Sequence, residues 1–457
     1  MFFKKQIFMV FGLSKSGIAA AGALLDENAK VFLYDESENA FSSAKVDELI
    51  KRGAKPVLNR TLSEMLPLYD VLVLSPGIPV NHELAVLTKK AGKRVIGEIE
   101  LGYLLTKSPI VAVTGTNGKT TTVSIIDKIL ETAEIKHELC GNVGIPFTSK
   151  IKKLSSYDVL CVAEISSFQL ETINLFCPHI SCILNITPDH LERHYTMQNY
   201  VYLKSRITFN QRESEFAVLN ADDKNILSFS DKIRAKKIWF SSEKRVDGAY
   251  LKNGKIYYFD DMITEETRIA LIGKHNLENV LAAICCAKIL GADNSAIEEV
   301  LCSYKGERHR IEFVGHISGR DFYDDSKATN TYSAISAIRT IKKPTILILG
   351  GKEKGEEYGE LFGEIKKSSV KSVVLTGDSM EHMQKSAIGC GFYDVYPEKD
   401  FYKAIALAEY LSDDGDAILL SPACSSFDCF KNYSERGEAF IKAVKDYNGG
   451  GKNEENR

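Results

Sequence analysis

The chain has 457 residues, 26% of them charged and 44% from the hydrophobic set, with a formal net charge of -3. That length leaves room for roughly two to four domains. The balance is that of a globular enzyme, and it argues against nucleic acid or an anionic membrane as the main partner. No apolar run is long enough to insert in a membrane. The 10 cysteines are scattered without a C-x-x-C pair, and Cys177/Cys182 and Cys424/Cys429 have neither zinc nor redox spacing. Reduced thiols in a cytoplasmic protein are expected.

Short apolar runs alternate with helical stretches, the pattern of βαβ units and mostly parallel sheets, so the fold class is α/β. The first block has strands at Ile7–Phe11, Val31–Tyr34, Val71–Leu74 and around Val95-Ile96. Lys4-Lys5 ahead of the first run imitates an export signal. Gly12, Ser14, Lys15 and Ser16 cut the run short, so strand, turn and helix are expected instead. Gly12-Leu13-Ser14-Lys15-Ser16-Gly17 has the spacing of a dinucleotide loop, with Ser14 where the middle glycine would let a pyrophosphate approach. Asp35 follows at the end of the second strand. This set disfavours a dinucleotide and suits another nucleotide diphosphate held at a helix N-terminus.

The second block opens with Val111 to Thr122, an apolar strand, a turn and a helix enclosing Gly115-Thr116-Asn117-Gly118-Lys119-Thr120-Thr121. These are the parts of a phosphate-binding loop. Backbone amides from Gly115 to Thr120 cradle phosphates, Lys119 reaches the terminal ones and the Thr120 hydroxyl meets a divalent cation. One departure is that Val113 stands where the P-loop pattern wants its first glycine. Strands are predicted at Val159–Val162, Ile180–Leu184 and Ala217–Leu219, and Asn253-Gly254 reads as a two-residue hairpin turn. Glu164 and His190 each follow an apolar strand, at the edge where open α/β sheets bind ligands. Oxygen ligands suit Mg2+, and a histidine ligand is better tolerated by Mn2+. A capping or core role for His190 is the alternative. The third block has strands at Ile311–Val314, Asp321–Asp324, Thr345–Leu349, Val373–Leu375 and Ala417–Leu420.

Thr114–Thr120, Gly141–Pro146, Glu164–Leu170, Asn185–His194, Lys274–Asn279, Asp325–Asn330 and Leu420–Asp428 fall in order along nearly the whole chain. Together with Ser75–Pro79 they resemble the Mur ligase superfamily, in its D-glutamate-adding branch. The resemblance implies three domains: residues 1–108, a Rossmann-like module for the UDP substrate; 109–306, a central P-loop ATPase; and 307–450, a Rossmann-like amino-acid domain. Residues 451–457 are expected to be a frayed tail.

The resemblance also implies roles. Ser14, Asp35, Ser75, Gly77 and Asn142 would hold UDP-N-acetylmuramoyl-L-alanine. ATP would meet Gly115 to Thr121, Asn276, Asn279, Arg310 and Asp325. Two Mg2+ ions would be held by Thr120, Glu164, His190 and Lys204, the last as a carbamate. Lys119, His190 and Lys204 would be catalytic. D-glutamate would meet Lys327, Thr329, Lys354, Ser426 and Phe427, with Lys352 the alternative to Lys354. The expected reaction passes through an acyl phosphate in a monomeric enzyme. Rivals are a sibling ligase with another acceptor, a folate polyglutamylating ligase, and a nucleotide-gated binding protein without catalysis.

Overall fold

The apolar runs of four to six residues become strands wherever both of their faces can be covered. In the computed structural model, residues 6–450 are described, apart from Val143, Ile272, Glu307 and Lys354 and the side chains of Glu192 and 447–450. The tail expected at 451–457, and the Lys354 assigned to the amino acid, therefore lie outside the described residues.

Three sheets organise the chain. The first has β1 (Ile7–Phe11), β2 (Lys30–Tyr34), β3 (Lys55–Pro56), β4 (Val71–Leu74) and β5 (Arg94–Gly97) in the order 3-2-1-4-5, all parallel. Val10, Val31, Val71 and Val73 pack with Ala20 and Leu24 on one face. Met9, Phe11, Leu72 and Leu74 pack with Met65 and Leu84 on the other. Burial on both faces explains why these strands read as continuous apolar runs.

The second sheet has β6 (Ile110–Thr114), β7 (His137–Gly141), β8 (Leu160–Glu164), β9 (Ile180–Ile183), β10 (Phe216–Asn220), β11 (Lys236–Ser241), β12 (Gly248–Lys252), β13 (Lys255–Tyr258) and β14 (Asp261–Glu265). Their order is 14-13-12-11-10-9-6-8-7. The sheet is parallel from β7 through β12 and ends in antiparallel β13 and β14. Asn253 and Gly254 turn between β12 and β13 with φ of 51° and 71°, the left-handed pair that a tight hairpin needs.

The third sheet has β15 (Glu312–Ile317), β16 (Arg320–Asp324), β17 (Thr345–Gly350), β18 (Val370–Thr376), β19 (Val395–Pro397) and β20 (Ala417–Leu420), in the order 15-16-20-17-18-19. Only β15 runs antiparallel to its neighbour. By packing, the chain divides into two compact units: residues up to 270 with 276–304, and 271–275 with those from 305 on. The first unit carries the first two sheets and the second unit the third.

Candidate active site

In the first sheet, the loop after β1 is held by its neighbours. Both oxygens of Asp35 accept backbone amides, from Leu13 at 2.7 Å and Ser37 at 2.9 Å. The buried Ser75 donates its hydroxyl to the Gly12 carbonyl at 2.6 Å. A Cβ on Gly17 would stand 1.8 Å from that same carbonyl, so glycine is required where helix Lys15–Asp26 meets the loop. Ser14 starts this helix without a side-chain cap and stays exposed, while Gly77 has open space around it. The structure thus gives Asp35 and Ser75 a loop-fixing task that the sequence reading did not assign.

The loop after β6 turns through Gly118 at φ 86° into helix Lys119–Thr132. Beneath that glycine lies Asn279. A Cβ on Gly118 would come within 2.1 Å of the Asn279 Oδ1. Asn279 donates to Asn276 Oδ1 at 3.3 Å and accepts from Thr122 Oγ1 at 3.4 Å, and both asparagines are buried. Both were expected at ATP, and the structure places Asn279 as the floor of the phosphate loop.

Asn185, the first residue of the 185–194 motif, clamps the same loop. Its Oδ1 accepts from Asn117 N at 2.9 Å, and its Nδ2 donates to Asn117 O at 3.1 Å. Thr116 Oγ1 bridges to Thr187, donating to its carbonyl at 3.1 Å and accepting its amide at 3.0 Å. Buried hydroxyls of Thr114 and Thr121 have no hydrogen-bond partner among the described residues. A phosphate-bearing ligand offers acceptors for hydroxyls of this kind.

Two lysines converge here. Lys119 Nζ donates to the carbonyls of Gly115 and Thr116 at 2.9 and 2.8 Å. Lys204 Nζ, from helix Met197–Ser205, donates to the same Gly115 carbonyl at 2.8 Å and is 1% exposed. Burial, with Lys119 nearby, pushes the Lys204 amine well below its ordinary range, and Asp189 and Glu164 only partly oppose this.

Glu164 ends β8 and collects Thr120 Oγ1 at 2.8 Å and Asn142 Nδ2 at 3.0 Å. A carboxylate and a hydroxyl gathered beside a phosphate loop are the hard oxygen donors that fit Mg2+. His190, in a left-handed conformation at φ 53°, lies against Phe168 at 4.8 Å and is 3.7 Å from Asp189. Arg193, from the same short helical turn, bonds Glu171 through Nε at 3.1 Å and reaches the carbonyls of Gly77 and Ile78 at 3.3 and 3.2 Å. It ties the loop after β4 to the His190 segment.

In the second unit, the buried Asp325 accepts Ser421 Oγ at 2.6 Å and Ile311 N at 3.3 Å. Burial raises its carboxyl from the ordinary 3.8 to about 7, although the Arg310 charge pulls it down. Burial, with the Arg310 charge, also holds His275 down to about 3. Lys327 donates its amide to His309 O at 2.9 Å and places Nζ 5.9 Å from the centre of the Tyr433 ring, and Thr329 follows one turn on. Ser426 is buried, and its carbonyl accepts the amides of Cys429 and Phe430. Phe427 is 69% exposed. Lys352 bonds Asp378 at 2.8 Å while its backbone pairs with Ser425.

An α/β protein with a Gly-Lys-Thr phosphate loop, a Thr–Glu oxygen pair beside it and further acid and lysine groups at strand ends is of the class that uses a nucleoside triphosphate. Comparison with known proteins narrows this. Residues 6–97 match a MurD-like N-terminal domain of Mur ligases, 113–287 the Mur ligase middle domain, and 309–424 the Mur glutamate ligase domain. The UDP-N-acetylmuramoylalanine–D-glutamate ligase of Caldanaerobacter subterraneus subsp. tengcongensis is 41% identical over 450 residues, covering 97% of this chain and 98% of that one. The ligase of the same name from Clostridioides difficile is 40% identical over 443 residues, covering 95% and 97%. The MurF ligase of Thermotoga maritima, solved with ADP, shares the fold at 17% identity and a TM-score of 0.61, covering 92% and 95%. The UDP-N-acetylmuramate-alanine ligase of that organism does so at 17% and 0.59, covering 96% and 99%. The chain belongs to the Mur ligase family, among its D-glutamate-adding ligases.

Proposed function

We infer that this chain joins D-glutamate to UDP-N-acetylmuramoyl-L-alanine, driven by conversion of ATP to ADP and phosphate, in peptidoglycan precursor synthesis. The observation that carries the residue-level reading is the convergence of Lys119 and Lys204 on the Gly115 carbonyl, beside the pair formed by Thr120 and Glu164. The substrate carboxylate attacks the γ-phosphate, giving an acyl phosphate and ADP. The amino group of D-glutamate then attacks the acyl carbon, and phosphate leaves. Lys119 and the loop amides spread the transferring charge, and no side chain becomes a covalent carrier.

Thr120 and Glu164 are the residues that would hold Mg2+, with His190 and Lys204 serving a second ion, and bound Mg2+ would offset the charge of the phosphates. A neutral buried amine is the form of lysine that reacts with CO2. Carbamylation would turn that amine into an anion with two oxygens next to Lys119, which adds an attraction to the Lys119 charge and supplies ligand atoms. Asp325 and Arg310 are assigned to ATP, and Lys327, Thr329, Ser426 and Phe427, with Lys354, to D-glutamate. The UDP part is assigned to Ser14, Asp35, Ser75 and Gly77, with Asn142. The domain limits at 108, 306 and 450 belong to the same proposal, as do the cytoplasmic location and the monomeric state. Among the described residues no helix is long and apolar enough to cross a membrane.

The test is phosphate release from ATP with UDP-N-acetylmuramoyl-L-alanine and Mg2+, offering D-glutamate, L-glutamate, L-alanine and a diamino acid. Turnover with D-glutamate alone is expected. Turnover with another acceptor would overturn the pocket assignment, and no turnover at all would favour a regulatory nucleotide-binding protein.

A further inference from the structure

Three adjacent strands of the third sheet, β16, β20 and β17, send out the loops 325–330, 421–428 and 350–353. Carbonyls at strand ends lose their ladder partners, so three adjacent loops leave several buried acceptors at one place. One side chain collects them. Arg436, in the first turns of helix Tyr433–Gly450, is 2% exposed. Its Nε donates to Ser326 Oγ at 2.9 Å, and its Nη2 to the carbonyls of Ser326 and Cys424, each at 2.9 Å. Its Nη1 stands 3.5 Å from the Gly350 carbonyl.

The surroundings are fitted to this group. A Cβ on Gly351 would lie 3.0 Å from Arg436 Nη1 and 2.3 Å from the Ser425 carbonyl. A Cβ on Gly437 would lie 2.1 Å from the His309 ring and 2.8 Å from Asp324 Oδ2, so the helix start is pressed onto the end of β16. Burial pulls the guanidinium down to about 10, and Asp428, Asp324 and Asp325 only partly oppose this.

We propose that Arg436 is the positioning residue of the amino-acid pocket, holding the loops after β16, β17 and β20 in one register so that Lys327, Thr329 and Ser426 face D-glutamate together. This rests on the assignment of those residues to the amino acid. Arg436 itself touches no substrate. A planar fork that reaches three loops at once cannot be replaced by an ammonium on a shorter reach.

The test is steady-state kinetics of the full-length protein with R436K and R436A, alongside K327A and S426A. For R436K the KM for D-glutamate is expected to rise at least about tenfold, with the KM for ATP and for the UDP substrate changed less than about threefold. Added guanidinium should restore part of the R436A activity, which a merely destabilised fold would not show. If R436A fails to fold, R436K alone decides. Unchanged D-glutamate KM in R436K, or all three KM values rising together, overturns the proposal. If K327A and S426A also leave the D-glutamate KM unchanged, the pocket assignment fails instead.

Discussion

At the residue scale, two titrating groups carry predictions. Lys204 is buried with an amine held well below its ordinary range, which favours the unprotonated form that reacts with CO2. Bicarbonate labelled with 13C should give a carbamate resonance in the native protein and none in K204R, and K204R should lose at least about 100-fold in kcat. A K204R protein of native activity would remove Lys204 from the mechanism. Asp325 titrates at about 7 in the fold against 3.8 otherwise. Between these values the unfolded chain has lost a proton that the native chain keeps. Stability from this group is therefore present below about pH 4 and falls as pH rises toward 7, by up to about 4 kcal/mol. D325N should lack this loss, and the comparison to make is urea unfolding of both proteins from pH 4 to 7.

At the scale of elements, the phosphate loop depends on what lies below it. In G118A a methyl group would meet the Asn279 amide in a left-handed backbone, so ADP formation should fall about 100-fold or more while the sheets persist by circular dichroism. G77A has open space and should keep its melting temperature. R193A frees the Gly77 and Ile78 carbonyls and should raise the KM for the UDP substrate several-fold, with ATP little affected.

Elements differ in how well they can be read. Val71–Leu74 and Ala417–Leu420 are buried on both sides and announce themselves. His137–Gly141 lies at a sheet edge with polar, half-buried residues, Lys236–Ser241 is only partly covered, and Lys55-Pro56 is two residues long, so neither composition nor period marks them. The contiguous Gly115–Thr121 loop is legible because its chemistry is local. Arg436 and its partner Ser326 are 110 positions apart, and Arg193 and Gly77 are 116 apart. Nothing in the one-dimensional pattern joins such pairs, and only the fold reveals them.

At the scale of the whole molecule, the division into two compact units bears on unfolding. Chains of several units depart from all-or-none behaviour. Calorimetry should resolve two transitions. A non-hydrolysable ATP analogue at a hundredfold excess over its Kd should raise mainly the one belonging to the phosphate-loop unit, by roughly 5 °C. A single sharp transition unmoved by the analogue would contradict this.

The sulfur atoms have a consequence of their own for handling the protein. Six of the ten thiols are buried, and Cys140 and Cys161, on neighbouring strands, hold their sulfurs 3.5 Å apart out of reach of solvent. Burial raises the Cys161 thiol and disfavours its ionisation, so in the folded protein this pair should resist oxidation by air. The unfolded chain has no such shelter, because all ten thiolates then compete for oxidant and for one another. Which sulfurs meet is then decided by the order of collapse. Refolding under a reductant should recover activity, whereas refolding in air should trap mispaired crosslinks that a reductant added before collapse would have prevented.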